Sequence, residues 1–179
     1  MYPAGMNELM PLDAGCWKLL LAPKSYRSQI LAFVARLAEQ TPLLVLDGGN
    51  QFNAYKVARA VRGRSEILSG IKISRAFTCY QMLSMLEGLN PQRETVLLLD
   101  FLATFFDESA SFADRSRLLS ISLEHIRRLS LTNGLLVTVH PPAIVSAESD
   151  SLIAQLTREA DGMWMPEPSP NLISQPALF

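Results

Sequence analysis

Apolar residues fall along the chain in two rhythms, short unbroken runs and longer stretches with a helical period, and their alternation predicts the architecture. Trp17 to Leu21, Leu43 to Asp47, Thr95 to Asp100 and Leu135 to His140 are near-continuous apolar runs, as expected of strands buried on both faces. Ile71 to Ile73 and Gly162 to Met165 are shorter strand candidates. Helical spacing covers Gln29 to Ala38, Asn53 to Val61, the stretch from Thr78 to Leu89, Asp114 to Ser130, and Ser149 to Glu159. Pro42, Gly63, Asn90-Pro91, Asn133-Gly134 and Pro141-Pro142 punctuate these segments, as helix and strand stops should. Strands alternating with helices predict an α/β fold with a parallel sheet covered on both faces.

Met1 to Gly15 reads as a lead-in loop, and Phe101 to Ala113 as a loop long enough to be a functional surface. Prolines at 166, 168, 170 and 176 keep the end of the chain out of regular structure. The expected organisation is one domain over residues 1–165 with a Pro-rich tail at 166–179. A hydrophobic content of 49% over 179 residues suffices for one well-buried core.

Charge narrows the function classes. A net charge of −1 gives no overall field for a polyanion, so DNA contact would need a local patch. Cys16 and Cys79 lie far apart in apolar surroundings, which suits core packing in a reducing compartment rather than a disulfide framework. No basic leader precedes an apolar run, and no uncharged stretch approaches a bilayer span. The expectation is a cytoplasmic protein with no membrane partner.

The first strand and helix enclose the informative turn, because in an α/β protein a strand's carboxyl end and a helix's amino end meet where ligands bind. A phosphate-cradling loop needs glycines that let successive N–H groups close on the anion, then Lys and Ser/Thr. Here the turn is Ala22-Pro23-Lys24-Ser25-Tyr26-Arg27-Ser28-Gln29, without glycine.

The order of segments resembles the RecA-like P-loop ATPases, the superfamily of the RecA recombinases, their relatives and KaiC-type proteins. Gly5 to Leu9 with Gly15 is similar to the family's entry segment, and Leu46-Asp47-Gly48-Gly49-Asn50-Gln51-Phe52 to its second strand and turn. Arg75-Ala76-Phe77-Thr78-Cys79-Tyr80-Gln81 resembles the start of a middle helix, and Leu97-Leu98-Leu99-Asp100 the acidic Walker B strand. Asp114-Arg115 with its helix, then Val137-Thr138-Val139-His140, is similar to the helix and sensor strand that follow. The resemblance implies a RecA-like parallel sheet sandwiched between helices, the P-loop NTPase fold. It places the 135–140 strand between the first strand and the Asp100 strand, with the Ala22 to Ser28 loop facing Asp100.

The chain departs from the family's pattern where catalysis is performed. In one register Leu21 and Tyr26 replace the loop glycines and Arg27-Ser28 the Lys-Thr/Ser pair; in the other, Ala22 and Arg27 replace the glycines and Ser28-Gln29 the pair. Aligning Asp47 with the closing acid of the second strand puts Gly49 in the place of the glutamate that activates water. A bulky residue where glycine is required blocks backbone approach, and phosphoryl transfer depends on positioning and charge stabilisation. The resemblance therefore implies a degenerate Walker A motif and a pseudo-ATPase without turnover, not an enzyme and holding no cofactor.

The function expected is a noncatalytic structural or regulatory subunit acting through protein contacts in DNA recombination or repair, its partner another protein, a RecA-like subunit or itself. Phe101, Phe105, Phe106 and Phe112 lie in or beside a loop, where aromatics serve interfaces or fold back over a core. Two alternatives remain open. One is a switch that binds ATP and Mg²⁺ weakly, with vestigial ligands Lys24, Arg27, Ser28 and Asp100. The other is a single-stranded DNA accessory protein using Lys56, Arg59 and Arg62, spaced along one side of a helix, with Arg64 just beyond. Against DNA on the family's usual surface stand Asp107, Glu108, Glu148 and Asp150 in the loops after the acidic and sensor strands.

Overall fold

The apolar runs pair in parallel because each is followed by a crossover that returns the chain to the same end of the sheet. The computed structural model describes residues 11–62, 64 and 66–166. Its strands are β1 (Trp17–Leu21), β2 (Leu43–Asp47), β3 (Ile71–Arg75), β4 (Thr95–Leu99), β5 (Leu135–Val139) and β6 (Gly162–Trp164). They form one six-stranded sheet in the order β3-β2-β4-β5-β1-β6, every pair parallel. β5 lies between β1 and β4, as the resemblance implied. The register sets Leu19 beside Val137, Val137 beside Leu98 and Leu98 beside Leu46.

Alternate strand residues point to opposite faces, so each face carries its own core. On one side Leu19, Leu46, Leu98 and Val137 pack beneath α4 (Cys79–Gly88), α5 (Phe112–Ser130) and α6 (Ala147–Glu159). On the other Leu20, Val45, Leu97, Leu99 and Leu136 pack beneath α1 (Arg27–Gln40), α2 (Ala54–Ala60) and α3 (Glu66–Ser69).

Helix starts follow local capping chemistry. Asn53 and Thr78 cap α2 and α4 by accepting from Lys56 N and Gln81 N, Ser111 caps α5, and Ser146 with Ser149 forms a capping box on α6. Ser111 starts α5 two residues before the Asp114 boundary read from the sequence. β3 runs to Arg75, beyond the expected Ile73, because an edge strand tolerates polar Lys72, Ser74 and Arg75. The short α3 has no counterpart in the expected pattern. The lead-in up to Met10, Gly63 as a helix stop and the tail from Glu167 lie outside the described residues.

The stretch after β4 decides between the two readings of its aromatics. Phe101 and Phe105 are 0% exposed, with ring centroids 5.1 Å apart, so these aromatics close over the core instead of offering an interface. Arg115, 4% exposed, holds the stretch down by donating to the carbonyls of Phe105 and Ala110 at 3.1 Å and pairing with Glu148.

Glu94, in the turn that feeds β4, makes a prediction in acid. Lys72 Nζ lies 2.9 Å from its Oε1, while the backbone N–H groups of Arg93 and Gln92 donate to Oε2 at 3.1 and 2.9 Å. These partners, Lys72 foremost, hold the carboxyl down from 4.5 to about 2. A carboxyl depressed in the folded state stabilises fully above its unfolded value, and that contribution is lost as pH falls through the folded one. Urea melts should show wild type losing stability between pH 4.5 and 2 more steeply than Glu94→Gln; parallel curves would show the pair to be idle.

Candidate functional site

A doubly wound sheet gathers polar side chains at the carboxyl ends of its strands, and four meet there across β2, β4 and β5. Asp47, 0% exposed, accepts from the backbone N–H groups of Gln51 and Phe52 at 2.9 and 2.8 Å, with Arg75 Nε 3.5 Å away. The turn thereby held presents Gln51 toward Asp100, where Gln51 Nε2 donates to Asp100 Oδ2 at 2.8 Å. The other carboxylate oxygen, Oδ1, accepts from His140 N at 3.0 Å, and Asp100 N donates to Thr138 Oγ1 at 2.9 Å. His140 completes the network. Its Nδ1 lies 2.6 Å from the Ala22 carbonyl, which can only accept, and its Nε2 lies 3.0 Å from Gln51 Oε1.

Asp100, the residue aligned with the metal-associated acid, is 3% exposed with both oxygens engaged by protein donors. Its backbone leaves β4 at φ 45°, a left-handed conformation that Asp tolerates better than most residues. Gly49 faces it closely: a Cβ there would stand 2.5 Å from Asp100 Cβ and closer still to Oδ2. No side chain fits where the family carries its water-activating glutamate.

The loop after β1 carries no glycine. Pro23 leads into a 3₁₀ turn, Lys24–Tyr26, and α1 begins at Arg27 with no side-chain cap. Tyr26 turns inward, its ring edge-on to Trp164 with centroids 6.2 Å apart.

The residues expected to gather around a nucleotide are dispersed. Lys24 lines an apolar cleft of about 470 Å³ with Pro23, Pro141, Pro142, Met165 and Pro166. Arg27 Nε is buried without an acceptor. Ser28 opens onto a separate groove between α1 and α2, beside Lys56 and Arg59. Asp100 is sealed beneath Gln51 and His140. Lys24 and Ser28 thus line different clefts, and Asp100 lines neither of them. Among the described residues no three His, Cys, Asp or Glu side chains are grouped to hold a metal ion.

The basic stripe is redistributed too. Lys56 and Arg59 lie exposed on α2, which ends at Ala60, while Arg62 follows it at φ 55°. Arg64, its side chain 55% exposed, is bonded to Glu39. Burial pushes the Cys79 thiol up, which disfavours the reactive thiolate.

Gln51 and His140 lay in segments that the resemblance covered but were not among the expected site residues. The available signal was position: each follows the carboxyl end of an apolar run, where a parallel sheet collects polar groups.

No helix among the described residues is long and apolar enough to cross a membrane. No family model matches this sequence, and no curated protein does. Among solved structures, the crystal structure of the RadB recombinase is similar over 76% of this chain and 66% of that one, at 15% identity and a TM-score of 0.54. The chain therefore spans slightly less than two thirds of that recombinase, and the likeness shows a shared RecA-like fold.

Proposed function

We propose that this chain is a noncatalytic RecA-like protein, a pseudo-ATPase serving as a structural or regulatory subunit through protein contacts in DNA recombination or repair. The observation that carries the reading is Asp100, whose two oxygens are bonded to Gln51 and His140 where the fold's nucleotide chemistry would need them open. The process follows from the recombinase that shares the fold, which is an analogy of fold.

Contact with another subunit is supported by apolar side chains flanking both ends of the sheet. Beside the β3 edge, Phe77 is 68% and Tyr80 51% exposed; Met163 and Met165 sit at the β6 edge, 47% and 52% exposed. Large apolar groups left in water near sheet edges are typical of surfaces that a partner covers. A second RecA-like subunit or another copy of this chain fits them.

Titration of labelled ATP with Mg²⁺ tests the noncatalytic part. Binding should fail to saturate below concentrations on the order of 100 μM, and Arg27→Ala should change nothing. Micromolar binding that disappears with Arg27 would defeat this reading in favour of a nucleotide switch.

A further inference from the structure

Charge is unevenly divided along the chain. Residues 24–64 hold seven Lys/Arg and two Asp/Glu, against 16 and 17 in the whole sequence. Of the two acids, Asp47 is sealed in the sheet and Glu39 is bonded to Arg64. The fold turns this sequence bias into a surface, because α1 and α2 pack side by side on one face of the sheet, whereas α4, α5 and α6 on the other carry five Arg against six Asp/Glu.

Between α1 and α2 runs a groove of about 260 Å³, walled by Ser28 and Ala32 on one side and by Lys56, Arg59 and Ala60 on the other. Arg36, one turn beyond Ala32 on the same stripe of α1, is exposed and extends the basic wall. Tyr55, 70% exposed, stands at the start of α2 with the Arg59 guanidinium carbon 5.9 Å from its ring centroid.

We infer that the α1–α2 face binds single-stranded nucleic acid, its sugar-phosphate backbone tracking the groove along Ser28, Lys56 and Arg59 and a base stacking on Tyr55. Two features favour this occupant over an acidic protein. Tyr55 is the one large exposed apolar residue described on α1 or α2, so the face lacks the apolar area that drives protein association; a polyanion needs none, because release of its condensed counterions drives binding. An exposed ring beside a cation is the platform on which unpaired bases stack, and a duplex hides those faces. The site lies across the sheet from Phe101–Ala113, where Asp107 and Glu108 disfavour a phosphate backbone.

The inference is independent of the nucleotide reading. Fluorescence anisotropy of the full chain with a labelled oligothymidylate of about 20 nucleotides, titrated from about 50 to 200 mM salt, tests it. Binding should weaken linearly on a log–log plot. The double variant Lys56→Glu/Arg59→Glu should bind about tenfold more weakly with a slope shallower by about 1.4, two single-strand phosphate contacts. Tyr55→Ala should weaken the single strand and leave a duplex of equal length unaffected, and Arg117→Glu, exposed on α5, should bind as wild type. No binding at the lowest salt, or equal loss in the double variant and Arg117→Glu, would overturn the inference. A duplex bound more tightly than the single strand, with Tyr55→Ala silent, would overturn the single-strand assignment. Circular dichroism confirms that each variant is folded.

Discussion

Asp100→Ala should lower the unfolding free energy by about 3–5 kcal/mol. The carboxylate satisfies His140 N and Gln51 Nε2 at 3.0 and 2.8 Å in a place that is 3% exposed. Alanine would leave both donors buried without acceptors. It would also place a residue less tolerant of the left-handed region at φ 45°. Asp100→Asn offers a graded comparison. The asparagine keeps the backbone preference and the acceptor for His140 N, while its amide faces the Gln51 amide and forces Gln51 to turn over, exchanging the charge-assisted bond for a neutral one, for a cost of about 1–2 kcal/mol. Urea unfolding with an unchanged m-value would report both losses as shifts in midpoint. An alanine variant within about 0.5 kcal/mol of wild type would mean that Asp100 is not a sealed centre.

Gly49→Glu, which supplies the acid that the family uses to activate water, should fold poorly and leave ATP hydrolysis undetectable. The first atom added already collides: the Cβ would lie 2.5 Å from Asp100 Cβ. Gly49→Ala should therefore cost about 1–3 kcal/mol through overpacking alone. The glutamate sets a second carboxylate against a buried one and should exceed about 3 kcal/mol. Thermal unfolding with a phosphate-release assay checks both expectations. A stable Gly49→Glu protein that hydrolyses ATP would show that the site can reopen.

Elements are legible where one physical signal dominates. β1 and β2 end where their apolar runs end, at Leu21 and Asp47, because a strand buried on both faces has little room for polar residues. β3 is half legible, since its outer residues face water and carry no apolar signature. The aromatics after β4 read equally as interface or core, because composition cannot tell a loop that crosses the core from one that leaves it. Phe101 and Phe105 are buried by a 3₁₀ turn and by Arg115, which lies some ten residues along the chain.

The same division runs through the candidate site. The missing loop glycines and the glycine at position 49 are visible in the sequence, because glycine's role is local to one backbone position. The inward turn of Tyr26, the seal of Gln51 and His140 over Asp100, and the pairing of Arg64 with Glu39 are not. Each joins residues far apart in sequence whose meeting depends on strand order. Sequence alone determined the α/β architecture and the absence of glycine from the turn at 22–29, since apolar periodicity and backbone freedom are properties of short segments. Tertiary structure alone decided what fills the vacated place and which basic residues share a face, since hydrogen bonds and surface potential depend on distances set by the packed sheet.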